Sequence, residues 1–170
     1  MLNHYHSLVP LEDLERVDVS PVLGLRSNAM KGVSSIDGKA HVLRRMDHNR
    51  LVPNSELVAA AKETVNRWMP FRGHPHVAAL CGTFVSADMR DTPSLYFAHT
   101  YYPGASTLEA THCSDKEGSV PASEAELWNY ASQLCCPLRA VHGAGLAVGG
   151  AIALSPSKII RCPCASFPNA

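Results

Sequence analysis

Short runs of alternating apolar and polar residues occur in three parts of the first hundred residues. Within residues 21–45 such runs flank Asp37 and Gly38, a dipeptide typical of the tight turn in a β-hairpin. Two further runs, at 77–85 and 94–101, are joined by a polar turn. Alternation predicts strands because successive side chains of a strand point to opposite faces of the sheet. We therefore predict a small antiparallel sheet of five strands.

Two segments have the period of an amphipathic helix. In residues 54–68 the apolar positions recur every three or four residues, and Asn54 stands where an N-cap is expected. In residues 123–141 Ser123 and Glu126 have the spacing of a capping box. The predicted apolar stripes are Leu57, Ala61, Val65 and Trp68 in the first helix and Leu127, Ala131, Leu134, Leu138 and Val141 in the second.

Pro137 lies inside the second predicted helix. Proline has no N–H to donate and its ring collides with the preceding turn, which costs roughly 3 kcal/mol in a helix interior. We therefore expect this helix to bend or to end early.

Strands followed by a long helix predict an α+β fold. A chain of 170 residues can bury one compact core or two small ones.

Charge and hydropathy limit the classes of function. The 15 basic residues balance the 15 acidic residues, and the sequence pI is about 7.1, which argues against a surface that tracks nucleic-acid phosphates. We expect no direct RNA binding by this chain. Neither a long apolar run nor a basic start followed by an apolar segment is present, so we predict no membrane span, no secretory signal and a cytoplasmic location.

The six cysteines do not form a C-x-x-C pair. Cys135 and Cys136 are adjacent, and Cys162 and Cys164 are separated by one proline. The remaining cluster of metal-binding residue types, at 74–76, is two histidines flanking a proline, which is more typical of a loop. We predict no metal site.

Several motifs follow one another in the order of the landmarks of protein kinases. Segment 23–33 stands where kinases carry a glycine-rich loop over the phosphates, and of the three glycines of that motif only Gly24 remains. Arg44 ends the run His-Val-Leu-Arg at the place of the kinase lysine that pairs with phosphate. Arginine keeps the charge and can form a fork of hydrogen bonds to phosphate, although it does not replace lysine geometrically. Glu56 and Glu63 both lie where a kinase glutamate would pair with that cation, and solvation is the alternative for each.

A third landmark begins at His142 and resembles a kinase catalytic loop in its frame. The positions of the His-Arg-Asp motif hold Val148, Gly149 and Gly150. The aspartate of that motif accepts the proton of the substrate hydroxyl, and none of these three residues can do so. We therefore predict that the chain is not an enzyme.

Over residues 4 to 160 the chain resembles the pseudokinase regulatory subunit of the Pan poly(A)-nuclease deadenylation complex. The segments that carry the resemblance are 5–11, 34–38, 43–45, 94–99, 102–103, 107–108, 127–130, 142–147 and 157–160. The resemblance implies a protein-kinase-like fold, in which a small antiparallel-sheet lobe with one helix, the N-lobe, precedes the start of a helical C-lobe. The boundaries that it implies are an N-terminal extension at 1–20, the sheet lobe at 21–103, and a hinge with a partial helical lobe at 104–170. The chain is then a fragment, because family members continue into a helical lobe, a coiled coil and a C-terminal knob.

The resemblance also implies a ligand and partners. ATP would be a structural ligand that is not hydrolysed, held by the following residues: Arg44, Thr100, Tyr101, Tyr102, Pro103, Gly104, Ala105, Ser106, Thr107, Ser157 and Lys158. The implied partners are the catalytic exonuclease of the complex, a second copy in a homodimer, and poly(A)-binding protein through regions outside this chain. The implied location is the cytoplasm, including mRNA-processing bodies.

The hinge departs from the family pattern at two positions. Thr100 replaces an acidic residue and Ser106 a basic one, which puts both polar contacts to a nucleotide in doubt. Tyr101 and Tyr102 could flank a base or pack in the interior. Two alternatives therefore remain: an interaction fragment of the same family that has lost nucleotide binding, and a divergent protein kinase, which would need another carboxylate near Gly150.

Overall fold

The computed structural model describes residues 1–12, 26–47, 52–89, 92–113, 120–147 and 160–161. The chain divides into two compact units, Met1–Tyr101 and Tyr102–Ala170. Residues 1–12, the described part of the predicted N-terminal extension, lie in the first unit. No helix in the described ranges has the length and apolar character needed to cross a bilayer.

The first unit contains an antiparallel five-stranded sheet, made of β1 Tyr5–Pro10, β2 Arg26–Ser34, β3 Ala40–Asp47, β4 Leu80–Ser86 and β5 Ser94–Thr100. The spatial order of the strands is β1-β2-β3-β5-β4. The α+β class and the number of strands expected from the sequence are confirmed, but one of the five strands lies outside the segments in which strands were predicted.

The turn between β2 and β3 is the predicted hairpin. Gly38 has a φ of 68°, a conformation that glycine adopts without steric cost. The Asp37 side chain accepts a hydrogen bond from the Lys39 N–H at 3.0 Å. The pairing of the two strands begins next to the turn, where Val33 is opposite Ala40. The turn therefore sets the register between β2 and β3.

The first strand comes from a segment that the sequence pattern did not place in the sheet. Tyr5–Pro10 pairs with β2 and forms one edge of the sheet. The sequence analysis compared segment 23–33 with a glycine-rich loop. That comparison is corrected in part, because residues 26–33 lie within β2. Gly24 lies outside the described residues.

Side-chain alternation gives the sheet two apolar faces. One face carries the larger core, in which Leu43 and Tyr96 are fully buried. Its buried members are Leu2, Tyr5, Met30, Leu43, Tyr96 and Ala98. On the other face Met46 and Leu95 pack with Ala61 of a helix. We call this second face the helix face.

The helix on that face is α1, Ser55–Trp68. The predicted N-cap is confirmed, since the Asn54 side chain accepts a hydrogen bond from the Leu57 N–H at 2.8 Å. Ala61 and Val65 of the predicted stripe are buried. A 3₁₀ turn, Met69–Phe71, follows, with proline in its first turn.

The second unit is built around α2, Glu124–Gly143. Its predicted capping box is present: Ser123 Oγ accepts from the Glu126 N–H, and the Ser123 N–H donates to Glu126 Oε2. The helix does not end at Pro137 but continues to Gly143. Of the predicted stripe only Val141 is buried, while Leu127 is 56% exposed.

A short two-stranded sheet and a π-helical turn complete the described part of the second unit. β6, Ser106–Thr107, pairs antiparallel with β7, Ile160–Arg161. The π-helical turn, Glu109–Cys113, follows β6 directly. His112 links this turn to α2, because its Nε2 lies 2.9 Å from the Tyr130 hydroxyl and its Nδ1 lies 2.7 Å from the Val120 carbonyl.

Candidate functional site

Arg44 lies on the helix face of the sheet, in the middle of β3. In the register of the sheet it stands between Ala29 of β2 and Phe97 of β5. Its Nη1 donates a hydrogen bond to Ser27 Oγ at 2.7 Å, and its Nη2 lies 3.5 Å from Glu12 Oε1. The Arg44 and Glu12 side chains are 41% and 43% exposed, so solvent reaches the ion pair.

The carboxylate beside Arg44 comes from the segment that follows β1, not from α1. Glu12 Oε2 accepts a hydrogen bond from the Ala29 N–H at 3.0 Å. Glu56 and Glu63, the α1 residues left open by the sequence, are both exposed. Within the described ranges, the carboxylate seen to pair with Arg44 is that of Glu12.

Lys31 adds a second cation to the helix face. It is two residues along β2 from Ala29 and is the register partner of Val42, so it shares the face of Arg44. Its Nζ lies 4.9 Å from the centroid of the Tyr101 ring, within the range of a cation–π interaction. The sequence analysis did not select Lys31.

His99 stands beside these cations and is uncharged at neutral pH. It is the register partner of Val42 and alternates with Phe97 along β5, which places it on the helix face. Burial, together with the smaller effect of the positive charge of Arg44, lowers the pKa of His99 from 6.5 to about 4. The helix face therefore has Lys31 and Arg44 as cations and Glu12 as the opposing charge.

Thr100 and Tyr101 end the first unit. The Thr100 N–H donates to the Ala79 carbonyl at 3.0 Å, and its hydroxyl lies 3.6 Å from Cys81 Sγ. Tyr101 is partly buried, with its ring under the Lys31 amine. Three of the predicted site residues, Arg44, Thr100 and Tyr101, thus lie in the first unit. The two cations, Lys31 and Arg44, share one face of its sheet.

The rest of the predicted hinge belongs to the second unit. Tyr102, Pro103, Gly104 and Ala105 form a turn, in which the Ala105 N–H donates to the Tyr102 carbonyl at 3.3 Å. Gly104 has a φ of 68°, and proline followed by such a glycine is the signature of a type II turn.

The two hydroxyls after that turn are used locally. Thr107 Oγ1 accepts from the Ala110 N–H at 3.1 Å and so caps the π-helical turn. Ser106 Oγ lies 3.0 Å from Thr111 Oγ1. Ser157 and Lys158, the last predicted ligands, lie outside the described residues.

The histidine pair at 74–76 forms a turn. The His76 N–H donates to His74 Nδ1 at 3.2 Å, and the two rings lie 5.9 Å apart. Burial and the neighbouring His74 lower the pKa of His76. In the ranges that the structure describes, no group of three His, Cys, Asp or Glu side chains is arranged to hold a metal ion.

The chain is similar in sequence to curated proteins of one kind, whereas no sequence-family model matches it. It is 35% identical over 161 residues to the PAN2-PAN3 deadenylation complex subunit pan3 of Dictyostelium discoideum, covering 94% of this chain and 20% of that protein. It is 30% identical over 182 residues to the corresponding subunit PAN3 of Homo sapiens, covering 94% of this chain and 19% of that protein. The chain thus spans about a fifth of the length of these relatives.

Solved structures of PAN3 proteins are also similar to this chain. A chain in the complex of Neurospora crassa PAN2 (WD40-CS1) with PAN3 (pseudokinase and C-term) superposes with a TM-score of 0.77 at 27% identity, covering 94% of this chain and 37% of that one. The Drosophila melanogaster PAN3 pseudokinase gives a TM-score of 0.72 at 28% identity, covering 94% and 39%.

Proposed function

Because the chain is a homologue of the PAN3 subunits of PAN2-PAN3 deadenylation complexes and has the fold of their pseudokinase, we propose that it is a non-catalytic regulatory subunit in messenger-RNA deadenylation. The observation that carries this proposal is the joint agreement of sequence and fold across nearly the whole chain. A fold alone would not carry it, since one fold supports many functions.

The absence of catalysis is part of the proposal and rests on residue chemistry. Val148, Gly149 and Gly150 stand at the His-Arg-Asp positions and have no side chain that can accept a proton. Incubation with ATP radiolabelled at the γ-phosphate and a generic protein substrate is expected to give no transfer. Transfer that disappears on mutation of a residue in this chain would contradict the proposal.

We further propose that ATP binds as a structural ligand on the helix face. Arg44 and Lys31 supply two cations on one face, which suits a triphosphate. Tyr101 supplies an aromatic ring next to Lys31, which suits a base. The further contact residues, Thr100, 102–107, Ser157 and Lys158, are those that the resemblance to the family implies. A ligand that binds only the folded state stabilises it by mass action.

A second candidate is an interaction module of the same kind that no longer binds nucleotide. The observation that favours it is the contact of Glu12 with Arg44 at 3.5 Å, together with the local use of the Ser106 and Thr107 hydroxyls. In that case the chain would act through its surfaces alone.

Thermal melting of the purified chain separates these two candidates. ATP, with and without magnesium, is expected to raise the melting temperature of the wild type and to have a smaller effect on Arg44→Ala and Lys31→Ala. Arg67→Ala is the matched control, because Arg67 is an exposed arginine at the end of α1. A melt that ATP does not change would support the module without nucleotide.

The partners belong to the same proposal. They are the catalytic exonuclease of a PAN2-type complex, a second copy of the subunit, and poly(A)-binding protein, reached through regions outside this chain, in the cytoplasm. Disruption of the gene in its own cells is expected to lengthen bulk poly(A) tails, and the wild-type coding sequence should reverse the change. Unaltered tail lengths would contradict a role in deadenylation.

A further inference from the structure

The carboxylate of Glu12 lies against Arg44, one of the two cations of the helix face. One of its oxygens lies 3.5 Å from Arg44 Nη2, and the other accepts the Ala29 N–H at 3.0 Å. Arg44 is held on its other side by Ser27 Oγ at 2.7 Å. Glu12 is therefore bound by one charged donor and one backbone donor.

These two donors are also the kind that bind phosphate. A guanidinium forms paired hydrogen bonds to either carboxylate or phosphate oxygens, and backbone N–H groups commonly complete such sites. Both side chains of the ion pair are about two-fifths exposed. A phosphate arriving from solvent can therefore compete with Glu12 for Arg44.

We propose that Glu12 is an intramolecular competitor of the nucleotide, which holds Arg44 when the triphosphate is absent and must leave it when the triphosphate binds. This inference rests on the proposed binding of ATP through Arg44. The reason is electrostatic: a carboxylate and a phosphate near one guanidinium repel each other, so the two anions exclude each other from full contact with it.

The position of Glu12 in the chain links this exchange to the edge of the sheet. The preceding residue, Leu11, donates its N–H to the Ala29 carbonyl at 3.0 Å. Glu12 then takes the Ala29 N–H with its side chain, which extends the pairing of β1 with β2 by one position. Release of Glu12 by a nucleotide therefore frees one donor at the end of that pairing.

Three variants test the exchange. Glu12→Gln removes the charge but keeps an oxygen that can accept the Ala29 N–H, so it preserves the end of the sheet. Glu12→Asp keeps the charge on a shorter side chain and is expected to hold Arg44 less well. Glu63→Gln is the matched control, because it removes the same charge from an exposed position on α1.

The measurement is a fluorescence titration of the full chain with ATP labelled on its ribose with an N-methylanthraniloyl group. We expect Glu12→Gln to bind roughly two- to fivefold more tightly than the wild type, the factor that corresponds to a solvent-exposed ion pair. Glu12→Asp should lie between the two, and Glu63→Gln should match the wild type. The gain should vanish in Glu12→Gln combined with Arg44→Ala.

A competition with unlabelled inorganic tripolyphosphate locates the effect at the phosphates. The polyphosphate is expected to displace the labelled nucleotide more readily from Glu12→Gln than from Glu63→Gln. An equal concentration for half displacement in the two variants would contradict the inference.

The outcomes separate this inference from the proposed function. Wild-type binding that depends on Arg44 but is unchanged in Glu12→Gln and Glu12→Asp would overturn the role of Glu12 and leave ATP binding intact. Binding by Glu12→Gln without binding by the wild type would support the role of Glu12 and contradict ATP binding by the native chain. Binding by none of the variants would overturn both.

Discussion

The rings of Phe84 and Tyr96 stack across the β4–β5 pair, with their centroids 5.0 Å apart and their planes 4° from parallel. Tyr5 of the edge strand β1 packs against the ring of Phe84 as well, and the centroids of these two rings are 5.7 Å apart. Three aromatic side chains from three strands therefore form a row in the larger core. This row joins the two edges of the sheet, β1 and β4, over the face opposite α1.

Replacing Tyr96 tests the contribution of this row. Tyr96 is 1% exposed, and loss of a buried aromatic ring costs about 3–5 kcal/mol, because the cavity left behind cannot close fully. We expect Tyr96→Ala to lower the free energy of unfolding by that amount in urea denaturation. Ile36→Ala, at a site 76% exposed, is the control and should change the free energy little. Equal effects of the two variants would contradict the assigned core.

Gly32 and Gly82 provide a matched pair of strand glycines. A Cβ added at Gly32 would lie 3.0 Å from Leu8 Cδ2 and 3.1 Å from Leu43 Cδ1, whereas one at Gly82 would meet nothing within 4 Å. Overpacking of this kind costs about 1–3 kcal/mol, so Gly32→Ala should destabilise the chain. Gly82→Ala should be neutral or stabilising by up to about 1 kcal/mol, because alanine restricts the unfolded chain.

Urea unfolding of the two glycine variants gives the comparison directly. A Gly32→Ala chain as stable as Gly82→Ala would mean that β1 does not pack over Gly32 as described.

The lowered pKa of His99 predicts a loss of stability in mild acid. A histidine whose folded pKa lies below its unfolded value of 6.5 contributes stability above pH 6.5, and that contribution is lost as the pH falls toward about 4. At pH 5 the loss comes to about 2 kcal/mol. The free energy of unfolding should therefore fall more between pH 7 and pH 5 for the wild type than for His99→Gln.

The control for this pH dependence is His6→Gln, since His6 is an exposed histidine of β1. This variant should keep the wild-type dependence. Identical pH profiles for the wild type and His99→Gln would contradict the burial of an uncharged imidazole beside Arg44.

The capping box of α2 predicts opposite effects for two serines. Ser123→Ala removes the oxygen that accepts the Glu126 N–H and should cost about 1 kcal/mol. Ser132 lies exposed within the helix, where its hydroxyl donates to the Asn129 carbonyl, and Ser132→Ala should stabilise the helix by up to about 0.5 kcal/mol. Thermal melts followed by circular dichroism at 222 nm measure both. A neutral Ser123→Ala would contradict the cap.

Several elements of the fold could be predicted because their determinants are local in the sequence. The Asp37-Gly38 turn, the Asn54 cap and the Ser123 capping box each involve bonds between residues at most four positions apart. Backbone conformation and hydrogen bonding at that range follow from the residues themselves. The sequence analysis expected α2 to bend or to end early at Pro137, and the early end was wrong, since the helix continues to Gly143.

Other features could not be predicted from local pattern. Tyr5–Pro10 becomes a strand only because β2 offers it an unpaired edge, and its register contains an irregularity between His6 and Val9. Ala61 and Val65 of the predicted α1 stripe are buried, but of the predicted α2 stripe only Val141 is buried. An apolar stripe predicts which side of a helix can be buried. Burial itself requires another element of the structure that packs against that side.

The sequence by itself determined the α+β class, the hairpin around Asp37 and Gly38, and the two long helices with their caps, because these follow from patterns that are local in the chain. Only the tertiary structure decided which carboxylate faces Arg44. Glu12 and Arg44 are 32 positions apart, and they meet because β1 and β3 both pair with β2. Coulomb attraction acts over a few ångströms of space, whatever the separation along the chain.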